Sequence, residues 1–140
     1  MNDFDFYLKE GKVKKQKPDL ELAKSLLNDA NDRFAKMTQL NVENFSKIIF
    51  ENIYDAIRAV LDALLAADGY KSYSHEASIM YLQKYEVGYS ILTELDDFRY
   101  KRNSSKYYGK EISSEDALAI ISFYNKHSEK LIKIVKNKVK

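Results

Sequence analysis

The residues best suited to chemistry lie together near the end of one helical segment. Arg102 and Asn103 close a stretch with an apolar helical pattern, and Tyr107 and Tyr108 follow after a polar break. A guanidinium is always protonated, and its planar fork matches a phosphate or the charge that develops on one. A fixed cation, an amide and two phenols at a helix end therefore favour a surface that faces a ligand or nucleic acid.

The same residues also have a purely structural interpretation. Arg102 could form an ion pair with Asp96, with Asp97 or with a carboxylate of a partner chain, while the tyrosines pack as an amphipathic lid with solvated hydroxyls. Asp97 and Lys101 have the i, i+4 spacing of a favourable helical ion pair. Adjacent Asp96 and Asp97 point to different helix faces, which argues against a carboxylate acid–base pair.

The two histidines do not form a metal site with their neighbours in the sequence. His75 lies at a predicted helix N-terminus, where the helix dipole disfavours its charged form, and we assign it a role in ligand contact, with positioning or catalysis as alternatives. His127 lies on an apolar stripe and is expected to be a hydrogen-bonded core or interface residue. Without cysteine, and without acidic residues at ligand spacing, we predict no metal site, disulfide or cofactor.

Composition is typical of one globular domain rich in helices. The 140 residues are 45% hydrophobic and 31% charged, with only four glycines and one proline. The N-terminus lacks the apolar core of a signal peptide, and no run of about 18 apolar residues is present, so we expect a soluble cytoplasmic protein. The net charge is +2, but lysines cluster at residues 12–17 and 126–140, which favours either phosphate attraction or a solvated tail.

Periodicity predicts an all-α, up-and-down bundle of four main helices plus one short helix. Residues 1–17 lack a sustained period and are predicted to be a flexible arm, whereas residues 18–140 form the helical domain. The predicted helices begin near Pro18, Phe45, Ser74, Ser90 and Ser113, and they end near Met37, Asp68, Tyr85, Asn103 and the C-terminus, with a loop at 104–112. The last helix carries two apolar stripes, so it should bury more than one face, in the bundle or against a second copy.

Two features mark the helix ends. Gly69 suits the left-handed position that follows a helix, directly after the longest apolar stripe. Ser113 with Asp116 approximates a capping box for the last helix.

This order of helices, with specific residues at their ends, resembles the HEPN family (higher eukaryotes and prokaryotes nucleotide-binding domain). The similarity covers residues 18–135, and it depends on Ala66–Tyr70, Ser74–Glu76, Leu95–Asn103 and Tyr107–Gly109. The resemblance implies a helical bundle that dimerises and brings two copies of the Arg-Asn segment into a shared cleft. Active members carry an arginine, four to six residues and then a histidine, and they cleave RNA without a metal ion. Other members pair with a small nucleotidyltransferase as half of a toxin–antitoxin system.

The chain departs from the family motif at the histidine. Arg102 matches the arginine and Asn103 the polar residue that follows, but the histidine position holds Tyr107 or Tyr108, depending on the spacing. A phenol of pKa about 10 is a poor base near neutral pH, and replacing imidazole by it reduces the active fraction about a thousandfold, or about 4 kcal/mol. The tyrosine that a partner nucleotidyltransferase modifies in some members would fall at Gly109 or Lys110, so this feature is not carried over.

The sequence therefore predicts a homodimeric HEPN protein that is non-catalytic or weakly catalytic. It would bind RNA, a nucleotide or a nucleotidyltransferase through the cleft around Arg102. The alternative is a metal-independent endoribonuclease of the toxin type, with Arg102 and Tyr107 as candidate catalytic residues. The candidate binding residues are Arg99, Arg102, Asn103, Tyr107, Tyr108 and His75.

Overall fold

The computed structural model describes residues 1–139. In chain order the elements are α1 (Phe4–Lys9), β1 (Val13–Lys15), α2 (Leu20–Met37), α3 (Ser46–Asp68), β2 (Tyr70–Ser72), α4 (His75–Met80), a 3₁₀ turn (Tyr81–Tyr85), α5 (Tyr89–Tyr108) and α6 (Ser114–Lys138). β1 and β2 form a small antiparallel ribbon. The predicted all-α bundle of four long helices is confirmed, with this ribbon as an addition.

Helix α3 forms the centre of the bundle because it is apolar around most of its circumference. The side chains of Ile49, Phe50, Ile53 and Leu65 are almost completely buried. Gly69 ends the helix in the left-handed region with φ of +90°, as predicted. A Cβ at Gly69 would lie 2.7 Å from the carbonyl oxygen of Gln16, so both the backbone angle and the space require glycine.

Helix α2 runs antiparallel to α3. At one end the Arg33 guanidinium donates to the Asn52 side chain at 2.9 Å, and at the other the Asp19 backbone N–H donates to the carbonyl of Ala66 at 2.9 Å. Asp19 also caps α2 through its carboxylate. The apolar stripe predicted for this helix is therefore buried against α3, with Ala23, Leu27 and Ala30 in the core.

Helix α6 runs parallel to α3, as the second and fourth long helices of an up-and-down bundle must. One predicted stripe supplies the buried Tyr124, Leu131, Ile132 and Val135, and the other supplies Ile120 and Phe123, with Ala117 buried in addition. Leu118, at the start of the first predicted stripe, is instead 54% exposed. The capping box between Ser113 and Asp116 is confirmed in both directions.

The prediction of a flexible arm for residues 1–17 differs from the structure, where α1 and β1 pack on the bundle. Tyr7 and Val13 are buried, and the Tyr7 hydroxyl donates to Glu76 at 3.2 Å. β1 pairs with β2 in a register that joins Val13 to Ser72 and Lys15 to Tyr70. A helix of six residues and a strand of three are too short to produce a detectable period.

The predicted loop at 104–112 is also wrong over its first half. Helix α5 continues through Tyr108 and ends at Gly109, which has φ of +68°. The polar run from Asn103 to Lys106 interrupts the apolar period without ending the helix, since the stop signal is the left-handed glycine. The two tyrosines therefore stand on the last helical turn.

The predicted ion pair between Asp97 and Lys101 is not formed. Lys101 Nζ lies 2.5 Å from Asp116 Oδ1 at the start of α6, so the lysine joins two helices. Within residues 1–139, no helix combines the length and the apolar character needed to cross a membrane.

Candidate functional site

A polar cavity of about 340 Å³ opens where the second half of α5 meets α3 and α4. We call it the arginine cavity. It is lined by Arg58 of α3, by His75 and Glu76 of α4, and by Arg99, Arg102, Asn103, Lys106 and Tyr107 of α5. The structure thus brings together five of the six predicted site residues and adds Arg58, Glu76 and Lys106.

Helix geometry explains the contribution of α5. Arg99, Arg102, Asn103 and Lys106 occupy positions i, i+3, i+4 and i+7, which share one face of a helix. The shared face can be read from the sequence once α5 is known to continue through Tyr108. Arg58 has a weaker signal, because it is one of the few polar residues within the most apolar helix of the chain.

Positive charge dominates the arginine cavity. Its lining holds four cations, Arg58, Arg99, Arg102 and Lys106, against one carboxylate, that of Glu76. Anions are favoured at such a site because it is concave and brings several cations close together.

Arg99 is the most strongly neutralised of the four cations. Its Nε donates to Asp96 Oδ1 at 2.7 Å, and its Nη1 lies 3.7 Å from Glu76 Oε1. These contacts connect α5 to the start of α4, so Arg99 acts first as a positioning residue for the cavity wall.

Arg102 pairs with neither Asp96 nor Asp97, the two intrachain partners considered from the sequence. Its Nη2 lies 3.7 Å from Asp55 Oδ1 on α3, beyond hydrogen-bond distance, and its guanidinium carbon lies 5.4 Å from the centre of the Tyr54 ring. The aromatic face orients the guanidinium without using its N–H donors. Those donors remain able to bind an anion.

Two cations have no acidic partner. Arg58 and Lys106 form no ion pair with any residue in the described part of the chain. Lys106 Nζ instead lies 5.5 Å from the centre of the Tyr107 ring. These two residues therefore give the cavity positive charge that no ion pair among the described residues offsets.

His75 is held as a neutral imidazole at the wall of the arginine cavity. Burial is the main cause that lowers its pKa, and the charges of Arg58, Arg102, Arg99 and Lys106 act in the same direction, so that the pKa is about 4. Its Nδ1 lies 3.3 Å from the hydroxyl of Tyr54, a buried phenol whose own pKa is raised to about 12 by burial. Donation from this hydroxyl to Nδ1 satisfies the buried phenol, and on that ground we assign the imidazole proton to Nε2.

The structure separates the two tyrosines of the motif. Tyr107 lines the arginine cavity and is 66% exposed, whereas Tyr108 lies outside its lining and is 80% exposed. Asn103 lines the cavity, and its amide forms no hydrogen bond with another described residue. Tyr107 and Asn103 are therefore both available to a ligand.

His127 lies away from this cavity. It is half-buried with its ring centre 4.8 Å from that of Phe123, which agrees with packing against apolar neighbours. The predicted hydrogen bond of His127 is not found among residues 1–139. Across the same residues, no group of three or more His, Asp or Glu side chains is placed to hold a metal ion.

No family model, curated protein or solved structure matches this chain. The HEPN resemblance therefore depends on the residues named above.

Proposed function

We propose that this protein binds RNA or a nucleotide through phosphate contacts in the arginine cavity. The observation that carries the proposal is the convergence of four cations, from two helices, on a cavity lined by one carboxylate. Arg58, Arg102 and Lys106 have no acidic partner within hydrogen-bond distance among the described residues. A phosphate can therefore contact these three cations without displacing a carboxylate.

The neutral side chains of the cavity support the same ligand. The Nε2–H of His75 and the amide of Asn103 are donors beside the cations, and both suit a phosphate oxygen. Tyr107 offers an exposed ring on which a base can stack. The lining thus combines charge, hydrogen-bond donors and an aromatic face.

The proposal extends to the HEPN family, with a cytoplasmic homodimer whose two Arg102 cavities form one cleft. It is supported by the order of the helices and by Arg102 and Asn103 on the cavity face of α5. A small nucleotidyltransferase is the protein partner that the family resemblance suggests.

Arg102→Ala tests the binding function. We expect it to weaken binding of a fluorescent single-stranded RNA at least about tenfold, since a guanidinium–phosphate contact is worth about 1.5–3 kcal/mol. The slope of log affinity against log salt should become shallower by about one unit. Fluorescence anisotropy at several salt concentrations measures both quantities, and circular dichroism checks that the variant is folded.

Arg33→Ala is the matched control. It also removes one arginine, but Arg33 contacts Asp29 and Asn52 at the α2–α3 interface and not the cavity. Equal losses of affinity in the two variants would mean that only overall charge matters and would contradict a site at Arg102.

A second candidate function, metal-independent endoribonuclease, is favoured by the position of His75. The family motif lacks its imidazole in sequence, yet α4 supplies one to the cavity that holds Arg102. In such a reaction the 2′-oxygen attacks phosphorus, its proton passes to His75, and the bond to the 5′-oxygen breaks, with water protonating the leaving oxygen. The bound phosphate would also offset the cations that lower the pKa of His75.

This activity requires the other tautomer, in which Nδ1–H donates to Tyr54 and Nε2 is free to accept. Because cleavage needs the tautomer opposite to the one assigned above, we propose RNA binding ahead of RNA cleavage. Incubation of RNA with wild type, His75→Gln and Arg102→Ala in the presence of a chelator, followed by a denaturing gel, tests it. Cleavage lost in both variants would establish the nuclease, and intact RNA in all samples would exclude it.

A further inference from the structure

A second cavity, of about 190 Å³, lies beside the arginine cavity along α3. We call it the Asp62 cavity. Its walls include Leu22 and Leu26 of α2, Asp62 and Leu65 of α3, and Lys71 of β2. A cavity of about 150 Å³ holds a benzene molecule, so this volume suits one planar heterocycle.

The two cavities share one stripe of α3. Arg58 lines the arginine cavity and Asp62 lines the second, and a spacing of four residues places them on the same helix face about 6 Å apart along the axis. The charge of Arg58 acts on both sites, since it lowers the pKa of His75 and opposes the rise in the pKa of Asp62. Arg58 therefore stands between the two cavities.

The carboxylate of Asp62 has no partner among the described residues that would explain its position. It is half-buried among leucines, and it forms neither an ion pair nor a hydrogen bond with another residue of the described chain. Burial raises its pKa, while Arg58 and Lys71 act in the opposite direction. Its oxygens still contact solvent, so a ligand that supplies donors in this partly apolar setting would replace water there.

We propose that the Asp62 cavity binds the guanine base of a nucleotide whose phosphate occupies the arginine cavity. Because Arg58 and Asp62 are only about 6 Å apart along α3, a phosphate beside Arg58 and a base beside Asp62 can belong to one nucleotide. The leucines contact the two faces of the base, and the Asp62 carboxylate accepts from its edge. This inference rests on the proposed function, and it names the nucleotide that the site prefers.

Hydrogen-bond chemistry selects guanine among the four bases. Its N1–H and N2–H₂ groups are two adjacent donors, which match the two oxygens of one carboxylate. Cytosine and adenine each offer an amino group beside a ring acceptor, and uracil offers a single N–H between two carbonyls. Lys71 and the side chain of Gln16, at the same cavity, can donate to the O6 acceptor of guanine.

Short oligouridylates with one central guanosine, adenosine, cytidine, uridine or inosine test this preference by fluorescence anisotropy. Wild type should bind the guanosine oligomer at least about tenfold more tightly than the uridine oligomer. Inosine lacks the 2-amino group and should lie between them. Asp62→Asn replaces one acceptor oxygen by a donor, so the guanosine oligomer should bind this variant no more tightly than the uridine oligomer does.

The controls separate this inference from the proposed function. Arg102→Ala should weaken all five oligomers by one common factor, and Asp32→Asn, at an exposed acid on α2, should leave the preference intact. Binding of all five with equal affinity, or a guanosine preference that survives in folded Asp62→Asn, would overturn the base site alone. Failure of every oligomer to bind wild type would overturn the proposed function, and the base site with it.

Discussion

At the residue scale, the protein concentrates charges that its own side chains do not balance. Arg58 and Lys106 lack acidic partners among the described residues, Arg102 is oriented by an aromatic ring, and Asp62 lacks a donor. Partly buried polar groups that serve only stability are normally paired, and Arg58 and Asp62 are not paired with any described residue. Together with Arg102 and the exposed Lys106, they are the side chains that we expect to change binding more than folding.

The titration of His75 gives a prediction at the same scale. The unfolded chain takes up a proton at this residue near pH 6.5, whereas the folded protein does so only near its lowered pKa of about 4. Above pH 6.5, the neutral His75 makes its full contribution to the free energy of unfolding. That free energy decreases as the pH falls from about 6.5 to 4. We expect a decrease of about 1–2 kcal/mol after allowance for the exposed part of the ring.

Urea denaturation at several pH values measures this effect against His75→Gln, which keeps a hydrogen-bonding side chain beside Tyr54. The variant should lose less stability than wild type over the same pH range. His127→Gln is the matched control at the histidine outside the cavity, and the same change in both variants would contradict an effect specific to His75. Parallel curves for His75→Gln and wild type would show that His75 is not held neutral in the folded state.

At the element scale, α3 has two functions. Its apolar circumference organises the core, while Arg58 and Asp62 on one polar stripe contribute to the walls of the two cavities. The end of the same helix anchors the C-terminal part of the chain. There Asp68 accepts hydrogen bonds from Tyr81 and Tyr85 and lies 2.9 Å from Lys138 Nζ.

Asp68→Asn tests this anchor. Burial opposes the charge of Asp68, but hydrogen bonds from Tyr81, Tyr85 and Lys138 hold its pKa below the usual value. The substitution removes a charge from a nearly buried network, and we expect it to reduce the free energy of unfolding by about 2–3 kcal/mol. Chemical denaturation near neutral pH provides the measurement.

Asp32→Asn is the control for the Asp68 anchor, because it breaks an exposed ion pair with Lys36 and should cost less than about 0.5 kcal/mol. Similar losses in the two variants would show that the Asp68 network adds nothing beyond a surface pair. A loss confined to Asp68→Asn would locate this part of the stability at the junction of α3, the 3₁₀ turn and α6.

At the scale of the whole molecule, the four long helices form one core around α3, and the short N-terminal elements pack on it. The arginine cavity lies at a surface and opens to solvent. In the proposed homodimer, two such cavities face a common cleft, which would allow one RNA strand to contact both copies.

Light scattering coupled to size-exclusion chromatography tests the homodimer. At micromolar concentration we expect a mass of twice that of the chain, because the family resemblance implies a bundle that dimerises. A monomer mass would contradict the shared cleft. Any RNA binding would then come from a single cavity, and the dependence on Arg102 would still be tested by the alanine variant.

The sequence by itself determined the long helices, apart from the end of α5, because their apolar periodicity is a local property of the chain. The stop at Gly69 and the capping box at Ser113 were predictable for the same reason. Short elements such as α1 and β1 were not, since a few residues carry no period and are stabilised by contacts made far along the chain.

The candidate site also depends partly on one local segment of the sequence and partly on tertiary packing. Arg102, Asn103 and Tyr107 were identified from one contiguous segment, and their position at one cavity agrees with that prediction. Only the tertiary structure decided that Arg58 would join them, and that Asp55 would be the partner of Arg102. Both come from α3, far away in sequence, because side chains of different helices meet only through packing, which local spacing does not encode.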